Sequence, residues 1–126
     1  MFVLDGNLRS VELALGAAKT TADMPWVASW CDFGADFAGA AETTLAGTTN
    51  GTTPVAVVPA PPSDLTRKLR KLTVLNADSA AKAVLVRFND NGTITVPFNV
   101  TLAAGSQLVY EDGCPLAVYD KNGALQ

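Results

Sequence analysis

The chain is expected to form an all-β fold, a single antiparallel β-sandwich of jelly-roll character with about eight short strands. Two observations carry this expectation. From Thr93 to Leu102, Ile94, Val96, Phe98, Val100 and Leu102 share one parity while Thr93, Thr95, Asn99 and Thr101 take the other, the period-2 pattern of a strand with one face buried and one wet. Turn residues then recur at short intervals, with Asn91-Gly92 supplying the positive-φ pair that a tight hairpin needs. At 126 residues the chain supports one hydrophobic core and one domain, 1–126.

The elements follow in order. Leu8–Leu15 alternates, with Val11, Leu13 and Leu15 on one side and Ser10, Glu12 and Ala14 on the other, and reads as a strand ending at Gly16. Met24–Phe33 reads as a second, with Pro25 at its start where a missing N–H is tolerated. From Gly34 to Thr53 the chain is mostly Gly, Ala, Thr and Asn. Val55–Val58 is a short strand that Pro59-Ala60-Pro61-Pro62 stops. The stretch 34–62 is therefore expected to act as a long connection, mobile in the free protein and available to a partner. Lys68–Asn76, Ala83–Asn89, Thr93–Leu102, Gln107–Tyr110 and Leu116–Tyr119 complete the strands, with turns at Asn76–Ser79, Asn89–Gly92, Ala104-Gly105, Glu111–Gly113 and Lys121–Gly123. The expected core is Val11, Leu13, Leu72, Val74, Val84, Val86, Phe88, Ile94, Val96, Phe98, Val100 and Leu102, the buried parity of each strand.

Composition narrows the chemistry. There is no histidine, which removes Ser-His-Asp and Cys-His arrangements and every histidine-containing metal site. No phosphate-binding glycine loop precedes a helical pattern. Asp32 and Asp36, or Glu111 and Asp112, are the nearest approach to paired carboxylates, but neighbours on a strand point to opposite faces and Glu111-Asp112-Gly113 is a better turn than an acid/base pair. Asn89-Asp90-Asn91-Gly92 offers clustered oxygens, yet lacks the later bidentate Glu of a calcium loop and reads as a hairpin turn. The expectation is a protein that is not an enzyme and takes no cofactor.

The net charge of −3 disfavours nucleic acid as a partner. No apolar run approaches the roughly 20 residues of a membrane span, and Met1–Gly6 has no basic n-region of a secretory signal. Cys31 and Cys114 read as two small buried thiols, with a disulfide as the alternative. Trp26 and Trp30 share a parity and read as core or subunit-interface residues, or else as a sugar platform. Arg67, Lys68, Arg70 and Lys71 hold four of the nine basic residues. They are the candidate partner contact by electrostatic complementarity, or charged protection of a strand at a sheet edge.

The segments Leu72–Ala81, Val84–Gly92, Val100–Gly113 and Val118–Gly123 show a strand ending in Asn-Ala-Asp, a charged hairpin, a Leu-Ala-x-Gly turn and a closing strand before Asn-Gly. In this the last 60 or so residues, on that strand-and-turn pattern, resemble small β-rich virion proteins of tailed bacteriophages, of the decoration, neck and fibre kinds. The resemblance implies a structural role in the virion, with capsid decoration (cement) as the leading expectation. Its partners would be the major capsid protein and further copies of itself as a homo-oligomer, with assembly in the host cytoplasm. The alternative is a neck or tail-fibre component, or a carbohydrate-binding module on the tail. The resemblance brings no catalytic residues with it.

Overall fold

The computed structural model describes residues 2–34 and 42–126. Its ten strands are β1 (Val3–Asp5), β2 (Arg9–Leu15), β3 (Pro25–Phe33), β4 (Glu42–Thr48), β5 (Val55–Val58), β6 (Thr66–Leu75), β7 (Lys82–Asp90), β8 (Thr93–Leu102), β9 (Gln107–Glu111) and β10 (Ala117–Tyr119). No helix occurs among the described residues. One sheet runs β10-β9-β6-β3-β4 with β1 also on β6, and the other runs β5-β2-β7-β8. Every pairing is antiparallel. The chain is a β-sandwich, as its alternation predicts.

The pairs β3/β4, β2/β5 and β1/β6 are nested in sequence and alternate between the two sheets. One long hairpin rolled around a core gives that nested pattern. The β7/β8 hairpin extends the smaller sheet from β2, and the β9/β10 hairpin extends the larger one from β6. Along β6, β1 pairs at Thr66–Lys68 and β9 takes over the same edge at Lys71–Leu75. The handover falls on a bulge at Arg70, where Trp30 faces Leu69 but Ser29 faces Lys71.

Two strands lack a signal in the sequence. β1 is only three residues long. β4, Glu-Thr-Thr-Leu-Ala-Gly-Thr, lies within the expected connection 34–62, and its seven-residue register with β3 corrects that expectation. An edge strand that buries little has no apolar stripe to betray it. Of that connection, residues 35–41 lie outside the described residues.

The core contains Val11, Leu13, Leu72, Val74, Val84, Val86 and Leu102 as expected, joined by Leu4, Leu15, Met24, Leu69, Val57, Val58 and Leu108. Phe88, Phe98 and Val100 are half-buried against it. Ile94 and Val96 are exposed instead, and the cause is local. Val86 pairs with Phe98 but Phe88 pairs with Thr95, so Val96 and Pro97 together oppose the single residue Arg87. One extra residue inverts the parity of everything beyond it, sending Ile94 and Val96 to the outer face. At that end of the sandwich Phe2, Phe98 and Tyr110 form an aromatic cluster with centroids 5.4–6.2 Å apart. The Phe2 amide donates to the Tyr110 hydroxyl at 3.2 Å, and burial raises the pKa of that phenol.

Candidate functional site

The four basic residues of β6 do not act as a set. Arg67 donates from Nε to Asp32 Oδ1 at 2.7 Å and from Nη2 to Oδ2 at 3.0 Å, while Nη1 reaches the Pro59 carbonyl at 2.8 Å. Its guanidinium also lies 4.9 Å from the centre of the Trp30 ring. With its side chain only 11% exposed, Arg67 is a latch that ties β6, β3 and the proline run together. Lys68 pairs with Asp112 at 3.0 Å, both side chains being partly buried. Only Arg70 and Lys71, both exposed, remain open to another molecule. The Arg70 bulge puts these two consecutive residues on the outside, between the buried Leu69 and Leu72.

Lys71 belongs to the outer face of the larger sheet. Register places Thr44, Ser29, Lys71 and Glu111 in one row across four strands, and Ala46, Val27, Thr73, Val109 and Ala117 in the next. Val27 is 43% exposed and nearby Leu75 40%. The outward face of an antiparallel sheet is ordinarily polar, so a continuous row of small and β-branched residues there is informative. Where this face reaches β10, a groove of about 500 Å³ is lined by Val109, Glu111, Cys114, Leu116, Tyr119 and Leu125.

The densest polar cluster lies elsewhere and serves the fold. Asn76 is fully buried. Its Nδ2 donates to the carbonyls of Ala80 (3.0 Å) and Leu102 (2.8 Å), and its Oδ1 accepts from the Asp78 amide at 2.9 Å. Its backbone pairs with Ser106 and Gly105. Asp78 accepts from the amides of Thr20, Thr21 and Ala80 and from the Thr21 hydroxyl. Three loops are thereby fastened at one end of the sandwich. The signal in the sequence is the Asn-x-Asp pattern of successive side-chain-to-backbone turns, which marks the turn but not its reach to Thr20 and Leu102.

Burial alone would raise the pKa of Asp78, but the Thr20, Ala80 and Thr21 amides and the Thr21 hydroxyl outweigh it and bring the value from 3.8 down to about 2. A carboxylate depressed in the folded state stabilises the fold fully above its unfolded pKa, and that contribution is lost as pH falls through the folded one. Acid titration of the wild type followed by tryptophan fluorescence is therefore expected to show stability falling between about pH 4 and pH 2. In Asp78→Asn that part of the slope should be missing, and an unchanged slope would show that the group does not govern acid sensitivity. Asp23 is held below its usual pKa first by the Gly51 amide and then by Lys19. It bridges the β2–β3 loop to Thr49 and Gly51.

The other candidates resolve simply. Trp26 and Trp30 are both buried, so neither ring is available as a sugar platform. Asp32 is committed to Arg67, and Asp36 lies outside the described residues. Asp112 is bound to Lys68, while the Cys114 amide closes a turn on the Glu111 carbonyl. Asn91 (φ 50°) and Gly92 (φ 93°) form the expected two-residue hairpin, with Asn89 Oδ1 accepting from the Gly92 amide and Asp90 bound to Arg9. Both cysteines are free. Cys31 is buried as expected, whereas Cys114 is exposed in the β9–β10 loop. On the outer face of the smaller sheet, Glu12 lies between Arg87 Nε (3.7 Å) and Asn89 Nδ2, which donates to Glu12 Oε2 at 3.1 Å.

Among the described residues no group of three or more His, Cys, Asp or Glu side chains is placed to hold a metal ion, and no helix is long and apolar enough to cross a membrane. Comparisons with protein-family models, with curated proteins and with solved structures return no match.

Proposed function

We propose that this chain is a non-catalytic structural protein of a tailed-phage virion, a capsid decoration (cement) protein that binds the outside of the assembled head in many copies. The observation that carries the reading is the outer face of the larger sheet, a row across five strands from Ala46 through Val27, Thr73 and Val109 to Ala117 with Arg70 and Lys71 uncommitted beside it. A row that spans five strands has the breadth of a contact with another protein, more than a small molecule would cover. The resemblance of the carboxy-terminal half to virion proteins supplies the kind of particle.

Mechanically, the protein binds the assembled shell better than its dissociated subunits and by linkage shifts the equilibrium toward the intact shell. Arg70 and Lys71 supply the salt-sensitive part of the contact. Arg67 does not, because its charge is used internally.

The test is co-sedimentation of the purified protein with shells of the phage's major capsid protein across a salt series. Reversing both charges (Arg70→Glu with Lys71→Glu) is expected to weaken binding by about tenfold at low salt, ~1.4 kcal/mol, and to flatten its salt dependence. Shells that gain no heat or chelator resistance when decorated would remove the cement role. Density for the chain found only at the neck or tail tip in a particle reconstruction would favour the neck or fibre alternative.

A further inference from the structure

The two sheets end in β10, β4, β5 and β8, apart from the three-residue β1 beside β6, which is too short to template a partner strand. Natural sheets protect such edges because their unpaired N–H and C=O groups recruit other strands. Three are protected here. The β10 edge is covered by the chain's own tail, through the Tyr119–Leu125 bridge and the Gln126 amide on the Val118 carbonyl at 2.8 Å. The β8 edge is interrupted by the bulge at Val96-Pro97, where proline offers no donor. The β5 edge is four residues long, lies between Pro54 and Pro59, and carries a register shift opposite Val11. The β4 edge has none of these devices. Its seven residues contain no proline, lysine or arginine, pair with β3 without a register shift, and are covered by no other strand among the described residues.

We propose that β4 is the seam through which two copies of this chain pair, antiparallel and about a two-fold axis centred on Leu45. With the β5, β8 and β10 edges protected and β1 only three residues long, the open β4 edge has only its own copy to meet within a population of this protein. Such an isologous contact closes at two and does not propagate into a fibre. The sequence of β4 suits the arrangement. Leu45 pairs with the buried Ala28 and so faces the sandwich interior, yet it is 38% exposed because no described strand flanks it. On the axis it meets Leu45 of the second copy and closes the core at that end. Thr44 then meets Ala46 of the second copy, Thr43 meets Gly47, and Glu42 meets Thr48. The two Glu42 carboxylates, the only charges on the edge, are separated by about 20 Å at 3.3 Å per residue, well beyond the ~8 Å screening length of physiological salt.

The seam's size sets its strength. A seven-residue strand is about 23 Å long, and two sheets ~10 Å apart with their side-chain layers make the flank about 20 Å thick. That is roughly 450 Å² per copy against the ~800 Å² of a standard interface, which places the dimer in the weak, concentration-dependent class. The inference concerns the free protein. It does not depend on the capsid reading, although it names the contact through which copies would join on a shell.

Sedimentation equilibrium of the full chain, from about 1 to several hundred micromolar, is expected to show reversible monomer–dimer exchange in the micromolar range. Amide hydrogen exchange should show alternate β4 amides gaining protection as concentration rises. Leu45→Lys and Leu45→Glu, each with a native near-ultraviolet tryptophan signal, are each expected to be monomeric because like charges meet on the axis. Mixing them should restore the dimer through a Lys–Glu pair. A wild type that stays monomeric throughout, a dimer that survives Leu45→Lys, or a mixture that fails to associate would each overturn the proposal. So would β4 amides protected only when capsid shells are added, which would assign the edge to a strand of the shell protein. Co-sedimentation with shells is scored separately, so failure of the seam and failure of the decoration role remain distinguishable.

Discussion

Trp26→Ala is expected to lower stability by about 3–5 kcal/mol, the range for removing a large buried aromatic side chain. Trp26 is 4% exposed and pairs with Val74 on one side and Gly47 on the other. The indole lies so close to Gly47 that a Cβ built there would sit 2.8 Å from Cζ2, so the ring closes the sandwich beneath its outermost strand. Its Nε1 has no hydrogen-bond partner, which separates packing from polarity. Trp26→Phe loses volume but also removes a buried unpaired donor, and should cost within about 1.5 kcal/mol. Urea unfolding monitored through Trp30 measures both. Similar costs for the two substitutions would mean that the indole N–H matters and that a water or another partner satisfies it. Gly47→Ala should be destabilising for the same reason, since the added methyl meets a rigid ring instead of a flexible chain end.

Asn76→Ala is expected to cost about 3 kcal/mol or more, because it orphans two buried groups and a partly buried one at once, at ~1–3 kcal/mol each. These are the carbonyls of Ala80 and Leu102 and the amide of Asp78. Asn76→Asp is the sharper test. It keeps shape and acceptor but replaces the donating NH₂ with an oxygen facing two carbonyls, beside the Asp78 carboxylate. It should be at least as damaging at neutral pH and partly relieved in acid as the new carboxyl gains a proton. Denaturant midpoints of the two variants at pH 7 and pH 4 decide this. An Asp variant as stable as wild type at pH 7 would show that the side-chain donors do not hold the loops.

The sequence alone determined the all-β architecture and eight of the strands, because period-2 alternation and turn residues are local consequences of a half-buried pleated backbone. The hairpin at Asn91-Gly92 was equally legible, since only a positive-φ pair matches the twist of its flanking strands. What only the tertiary structure decided lies where a neighbour sets the outcome. Val96-Pro97 bulges against Arg87, and that single extra residue moves Ile94 and Val96 from the core to the surface without any change in their own alternation. β4 has no apolar stripe, and it is a strand because β3 offers it an edge. Arg67 and Lys68 look like Arg70 and Lys71 just beyond Leu69, yet they are drawn into ion pairs by Asp32 and Asp112, each far away along the chain. Only Arg70 and Lys71 stay free, because the handover from β1 to β9 places a bulge at that point. Local patterns report which face a residue prefers, whereas partners distant in sequence decide which charges are spent inside the fold and which edge is left open.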